Sequence, residues 1–501
     1  MNEDIAKSVA KSTTSLFGQQ IVTWGSSFVL MLFLPRYLGP VDYGRLYLAE
    51  MIAGLFLIVI DYDGRYGVAK RIARNKGQTA QILSNSLGFR VILWGASFLA
   101  MVTFAFIVDY PMPVKIIIFI MGIEMLWLGA KTVITGSFLG LEVMQYSSVG
   151  SIAERVFISL CGVVALLLGA NAIHIAIIMV CGTFINFLLC LKFTRQTIPE
   201  GFPPVDWKAT KTLLREGVPY LLWTIFGVVY YRIDTVMLSF LTPEHVVGWY
   251  AAAYRFFDIL AFLPSIFSLA ILPVLSKLWG KEDSMLARTT QKSQDFILMA
   301  GIPMSIGVFA FARDIIGFLF GVEGYGPSVL VLQIFASGLT LIYLDMVLGT
   351  AIIACDKQRQ WVITAGCAVV INITLNYFMI PYTQTHYGNG GIGAAIATII
   401  TEFSVLVSAV LILPKELFSP SSVPIALKSL GAGIIMGGAI WLMKSAALLP
   451  FGAEAVIAGC LYIGILVTLK TFSQSEISFA RHFLTVRNLR SAFVPKKDST
   501  S

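Results

Sequence analysis

Charge is what this 501-residue chain has least of. Asp, Glu, Lys and Arg make up 13% of it, against about 25% in an average soluble domain, while 57% is hydrophobic and the mean hydropathy is +0.81. That balance excludes an ordinary water-soluble fold. Cysteine is sparse too. The six present, Cys161, Cys181, Cys190, Cys355, Cys367 and Cys460, form neither a CxxC pair nor a metal-ligand spacing, and are read as small packing residues. The four histidines, His174, His245, His386 and His482, fall in separate loops or at span ends, and no HExxH, GxSxG or Walker-type loop occurs, so no catalytic group and no metal site is expected. The start, Met1-Asn2-Glu3-Asp4, reaches its first apolar run only near Leu16 and lacks a small-residue cleavage site, so it is not read as a cleaved signal peptide.

Long apolar runs are abundant. Stretches of about 20 residues, enough to cross a hydrocarbon core of about 30 Å, recur along nearly the whole chain. The expected fold class is therefore an all-α integral membrane protein of about fourteen transmembrane helices: six between Leu16 and Leu191, six between Val218 and Leu413, and two between Ile425 and Leu469. The net charge of +8 sits in short loops, so it reports topology rather than a nucleic-acid partner. Loops after even-numbered spans carry Lys70, Arg71, Arg74 and Lys76, then Lys192 to Arg215, then Lys277 to Lys292, which puts them and both termini in the cytoplasm.

The organisation follows. Residues 1–192 form an N-terminal six-helix lobe, 193–217 a cytoplasmic linker with an interfacial helix near Asp206-Trp207-Lys208, and 218–413 a C-terminal six-helix lobe. Residues 425–469 give two accessory helices, and 470–501 a basic cytoplasmic tail. A short repeat links the lobes: Leu38-Gly39-Pro40, Gly44 and Ala49 recur as Leu241-Thr242-Pro243, Gly248 and Ala253. Six spans per half is an even number, so the two lobes are expected to run parallel, related by an axis along the membrane normal.

Ionisable residues inside spans carry the functional signal, because each costs about 2.5–3.5 kcal/mol at the bilayer centre and normally faces a cavity or a partner. Spans seven and eight hold Arg232, Asp234, Arg255 and Asp258, and the two arginines lie equally far from the turn at Pro243-Glu244, so they reach one depth. Two readings stand: a closed ion-pair network that joins helices, or an electropositive floor for an anionic headgroup, since the guanidinium fork fits phosphate oxygens. Tyr230, Tyr231, Tyr250 and Tyr254 could stack on sugar rings or simply pack. In the first half, Glu124 and Arg155 (beside Glu154) are candidates for the opposite cavity wall. Asp61, Asp63, Arg65 and Arg90 lie near enough to the interface to be solvated by snorkelling, and Asp345 is the carboxylate of the tenth span.

Several ordered marks resemble one family. They are Leu34-Pro35-Arg36-Tyr37-Leu38-Gly39-Pro40-Val41-Asp42-Tyr43-Gly44, Arg232-Ile233-Asp234-Thr235-Val236-Met237-Leu238, Gly248 through Arg255 with Leu272-Pro273, Leu319-Phe320-Gly321 through Tyr325-Gly326, and Asn372, Leu375-Asn376, Ile380-Pro381 and Gly391 through Thr398. Together they resemble the Wzx-type polysaccharide-repeat flippases of the multidrug/oligosaccharidyl-lipid/polysaccharide exporter superfamily. That resemblance implies two parallel six-helix lobes forming a V around a central cavity that opens alternately to each side. It implies translocation of an undecaprenyl-diphosphate-linked oligosaccharide across the bacterial inner membrane for O-antigen, capsule or exopolysaccharide assembly. It also implies arginines that hold the pyrophosphate, no cofactor beyond coupling to an ion gradient, and a polymerase and chain-length regulator as partners. The competing readings are an ion-coupled small-molecule exporter and a membrane enzyme of glycan assembly, the latter disfavoured by the short extracytoplasmic loops.

Overall fold

The computed structural model describes residues 3–198, 201–418, 422–446 and 449–471, with side chains described from residue 18 and not for 208–220 or 222–224. The basic tail with Arg481, Arg487, Arg490, Lys496 and Lys497, and the side chains of Lys208, Lys211 and Arg215, lie outside the described residues. All regular structure among the described residues is helical, as it must be where lipid offers the backbone no hydrogen-bond partner.

The helices are α1 (Glu3–Ile60), α2 (Gly64–Arg74), α3 (Thr79–Ile107), α4 (Met112–Gly140), α5 (Gln145–Leu167), α6 (Ala172–Thr197), α7 (Trp207–Leu241) and α8 (Glu244–Leu260). They continue as α9 (Phe262–Leu278), α10 (Asp283–Leu319), α11 (Val322–Tyr325), α12 (Ser328–Ala354), α13 (Gln358–Tyr387), α14 (Gly390–Ile412), α15 (Ser422–Ala446) and α16 (Phe451–Thr468). Among the described residues twelve segments are long and apolar enough to span a membrane, and the first of these, Gly18–Arg74, contains two of the spans read from the sequence. Large apolar side chains stay exposed on the outer faces, including Leu168, Ile107, Leu411 and Trp441 at 83%, 79%, 80% and 70%, which is where a lipid-facing surface belongs.

Two local features set the geometry. α1 turns at Gly39, whose φ of 70° is left-handed, immediately before Pro40, which lacks the N–H an uninterrupted helix would use. α7 begins at Trp207, where the sequence places an interfacial helix, and its helical residues continue to Leu241.

The described residues fall into two compact units. The first holds residues 1–260, 313–335 and 358–408; the second holds 261–312, 336–357 and the chain from 409. In the second unit α10 packs on α12 through Ser305 and Thr340 (2.8 Å) and on α16 through the Tyr462 hydroxyl, which donates to the Met299 carbonyl (2.9 Å). The Lys444 ammonium of α15 donates to the Ala310 carbonyl (2.8 Å). Asp345 is buried in this unit, 5% exposed.

Histidines serve local structure. Asn171 caps α6 by accepting from the Ile173 and His174 amides (3.1 and 3.3 Å), while His174 Nδ1 reaches back to the Asn171 amide (3.4 Å), a reciprocal capping box. His386 Nδ1 bonds the Tyr382 carbonyl (2.8 Å), and His245 packs edge-on against Trp249. His482 lies outside the described residues. The cysteines are all free, with Cys190 and Cys355 buried and Cys181, Cys367 and Cys460 exposed.

Between α3 and α4, Asp109 adopts a φ of 55° and accepts from Lys115 Nζ (2.7 Å). That hydrogen bond, and then the ammonium's charge, hold the Asp109 carboxyl below its ordinary value of about 3.9. A depressed folded value contributes stability that is present above the ordinary one and lost as pH falls through the folded one. At 88% exposure solvent screens the pair, so stability between pH 5 and 8 is expected to be insensitive to Asp109→Asn. A carboxyl titration by NMR should place the Asp109 midpoint below about 3.9; a midpoint at or above it contradicts the pairing.

Candidate functional site

The repeated hairpin is the scaffold of the site. Gly44 of α1 and Gly248 of α8 face each other so closely that a β-carbon on Gly44 would lie 2.7 Å from the Glu244 carbonyl oxygen and the Gly248 nitrogen, and one on Gly248 would strike the Pro40 carbonyl. Only hydrogen fits at either position. Ala49 and Ala253, one step along each arm, are fully buried. The repeat therefore marks a backbone-to-backbone contact between the two halves.

Polar links fasten the same end. Arg45 meets Glu244 through two nitrogens (3.0 Å from Nε, 2.7 Å from Nη2) and also Asp42 (2.9 Å). Arg36 donates to the Phe318 and Leu319 carbonyls, the Tyr325 hydroxyl to the Pro35 carbonyl (3.0 Å), and Trp249 Nε1 to the Gly324 carbonyl (2.9 Å). α1, α8 and α11 are thus tied together at the Gly39 and Pro243 turns.

Deeper along these helices the charged residues gather. Arg232 lies eleven residues before Pro243, Arg255 twelve after it, and Glu50 eleven past Gly39, each about 16–18 Å of helix from its turn. Arg232 Nη1 donates to the Glu50 carbonyl (3.3 Å), and its guanidinium crosses Gly54 so closely that a β-carbon there would make it shift. Arg255 is not covered by other parts of the protein, and has Glu50, Tyr43, Tyr47 and Asp258 as its electrostatic neighbours. Asp258 in turn feels Arg255 and Arg232. The structure brings Arg232, Arg255 and Asp258 into one neighbourhood, and adds Glu50, which the sequence reading passed over. Glu50 lies inside the span Leu46 to Ile60, so the rule that singled out the arginines covers it too.

Glu124 of α4, 8% exposed, joins the same field: its charged neighbours are Glu50, Glu154, Lys131 and Arg155. Glu154 points the other way. It accepts from Lys131 Nζ (2.8 Å) and Asn186 Nδ2, a closed knot between α4, α5 and α6. The adjacent Arg155 is exposed.

Three candidates lie apart from the arginines. Asp234 is 4% exposed and accepts from Asn376 Nδ2 (2.6 Å), Thr398 Oγ1 (2.8 Å) and the Tyr250 hydroxyl (3.0 Å), so its charge is spent tying α7, α8, α13 and α14. Tyr250 and Tyr254, at 1% and 7% exposure, stack on each other at 5.6 Å and against Phe335. The sequence leaves open sugar-facing or packed rings; these are packed. Replacing Asp234 by Leu strands three donors and should cost about 3–5 kcal/mol of stability, against well under half of that for Asp234→Asn, which keeps an acceptor. Equal thermal shifts for the two variants would contradict this role.

A cavity of about 470 Å³ opens where α1 ends, lined by Gly54, Leu57, Asp61, Tyr66, Lys70 and Arg232 among others. Behind it Asp63 is clasped by Arg90 (2.7 Å) and Arg71, and Arg90 also reaches Asp61 (2.9 Å) and the Gly129 carbonyl (3.1 Å). Snorkelling of this group is expected from the sequence, but Arg90 and Asp63 have side chains only 2% exposed. Neighbouring helices supply the partners that water would otherwise provide, a tertiary effect with no local signature. With both aspartates balanced by Arg90 and Arg71, Arg232 and Lys70 leave the cavity net positive.

The family model described as polysaccharide biosynthesis protein matches residues 9–279, and the MatE model matches residues 219–378. The chain is 23% identical over 401 residues to the probable low-salt glycan biosynthesis flippase Agl15 of Haloferax volcanii, covering 78% of this chain and 81% of that one. It is 27% identical over 194 residues to the probable flippase AglR of the same organism, 37% of this chain and 38% of that one. Among solved structures, the lipid II flippase MurJ in an inward closed conformation superposes with a TM-score of 0.72 at 14% identity, over 92% of this chain and 98% of that one. An inward-facing multidrug resistance MATE transporter gives 0.60 at 14% identity, over 83% and 94%. The chain is a multi-pass membrane protein and not an enzyme; it belongs to the polysaccharide biosynthesis protein family, on the fold of the multidrug/oligosaccharidyl-lipid/polysaccharide exporter superfamily.

Proposed function

We propose that the protein is a flippase that carries a lipid-linked oligosaccharide across a membrane by alternating access, with Arg232 and Arg255 holding the anionic phosphate headgroup. The observation that carries this reading is that both guanidiniums act on Asp258 and lie beside Glu50, with Arg255 not covered by other parts of the protein. A guanidinium keeps its charge in a low dielectric and offers paired donors to phosphate oxygens. The family match and the likeness to glycan and lipid flippases support the same class of cargo.

In finer terms, the cargo is an undecaprenyl-diphosphate-linked repeat unit, moved outward across the bacterial cytoplasmic membrane for O-antigen, capsule or exopolysaccharide assembly, with a polymerase and a chain-length regulator acting downstream. Both termini and α2 lie in the cytoplasm on this reading, because the loops rich in Lys and Arg stay inside. The lobe limits proposed are residues 1–192 and 218–413, with 193–217 as the linker. The links at the Gly39 and Pro243 turns then close the outer side, and the cavity beside Lys70 faces the cytoplasm.

A small-molecule exporter is the second reading, favoured by the likeness to the MATE transporter. A positive cavity opposes uptake of cationic drugs. Proteoliposomes distinguish the two: the proposal expects transfer of a fluorescent polyprenyl-diphosphate oligosaccharide and no gradient-driven efflux of ethidium, and the reverse pattern overturns it.

A further inference from the structure

We propose that the cavity at the α1–α2 elbow is a sugar subsite, in which the Asp61 carboxylate and the Tyr66 ring receive the first sugar of the glycan next to the diphosphate held by Arg232. The inference rests on the headgroup reading above and adds to it a site for the glycan itself. About 470 Å³ is more than a diphosphate needs and falls in the range of small-ligand pockets, roughly 300–1,000 Å³. Arg232 lines one part of the wall, and Asp61, Tyr66 and Lys70 line another together with Leu57, Ile58 and Val228, so an anion at Arg232 leaves its substituent among the elbow residues.

The side chains there divide by whether the protein has already used them. Asp63 is consumed by Arg90 and Arg71. Asp61 gives one oxygen to Arg90, while its other oxygen makes no hydrogen bond to a described residue, and the side chain is 35% exposed. An ionised carboxylate oxygen is an acceptor only, suited to the hydroxyl donors of a sugar. Tyr66 is 68% exposed for a large aromatic residue, with Arg65 over one face at 5.0 Å and its other face free to lie on the apolar face of a sugar ring. Lys70 forms no ion pair among the described residues and supplies a mobile donor at the rim. Acceptor, ring and donor around one space supply the hydrogen-bond partners that a polyhydroxylated ring needs and a lipid chain does not use.

The test measures binding of two probes to the full chain in nanodiscs: farnesyl diphosphate, and the same lipid diphosphate carrying N-acetylglucosamine. Wild type is expected to bind the sugar-bearing probe about tenfold more tightly. Tyr66→Ala and Asp61→Asn should each remove most of that increment and leave farnesyl diphosphate binding unchanged, with Tyr66→Phe restoring it. Tyr66 is exposed, and Asp61→Asn keeps an acceptor for Arg90 while Asp63 still pairs its charge, so both variants are expected to fold, which their thermal midpoints check. An absent increment in wild type, or equal losses for both probes in Tyr66→Ala, overturns the subsite while the headgroup reading stands. Farnesyl diphosphate binding that is indifferent to Arg232→Gln and Arg255→Gln overturns the headgroup reading, and the subsite with it.

Discussion

Replacing Arg232 and Arg255 together by Gln is expected to slow translocation of a diphosphate-linked glycan at least about a hundredfold. Hydrogen bonds to charged groups contribute about 1.5–3 kcal/mol each, so losing two removes about 3–6 kcal/mol, or more than two orders of magnitude. The single variants should differ. Arg255 is exposed, so Arg255→Gln should leave the thermal midpoint where it is and show its whole effect in transport. Arg232 also bonds the Glu50 carbonyl and fills the space over Gly54, so Arg232→Gln should lower stability as well. Lysine at either position keeps the charge but not the planar fork, and intermediate rates are expected. A double variant that transports at the wild-type rate removes the site.

Gly248→Val is expected to pry apart the backbone contact between α1 and α8. A β-carbon at 248 collides with the Pro40 carbonyl, and backbone cannot swing aside as a flexible side chain can. Overpacking of this kind costs about 1–3 kcal/mol, and the strain is relieved only if α1 and α8 separate. Separation would also break Arg45–Glu244, a partly exposed pair that on its own contributes little. In a cysteine-free background, a cysteine at Leu48, which is 4% exposed, should become reactive to a membrane-impermeant maleimide in the Gly248→Val chain. Gly44→Val should act in the same direction. Unchanged labelling and unchanged transport would show that the contact does not gate access.

How much of this was legible beforehand depended on whether a residue's role is local. Spans and the turn at Gly39 follow from hydropathy and one glycine, and the structure contains both. The short repeat at Gly44 and Gly248 is visible as pattern, but its meaning, two backbones in contact, arises only in the fold. Asp234 could not be separated from Arg232 in sequence, since the two are neighbours in one motif. Its partners Asn376 and Thr398 arrive from more than a hundred residues away, and they decide that Asp234 is structural. The same holds for Arg90: its distance from the span end points to solvent, whereas Asp61, Asp63 and the Gly129 carbonyl bury it. Glu50 is the opposite case, a carboxylate inside a span that the rule for intramembrane charges covers. The α2 elbow went unread because its cavity exists only after α1, α2 and α7 meet.

The central claim is that the mid-membrane arginines hold an anionic lipid headgroup during transfer. The most direct measurement is the leaflet-to-leaflet movement of a fluorescent polyprenyl-diphosphate oligosaccharide in proteoliposomes, compared between wild type and the Arg232→Gln/Arg255→Gln chain at equal, verified folded protein. The account predicts transfer with wild type and loss of at least about a hundredfold with the double variant. Equal transfer by the two proteins would contradict it.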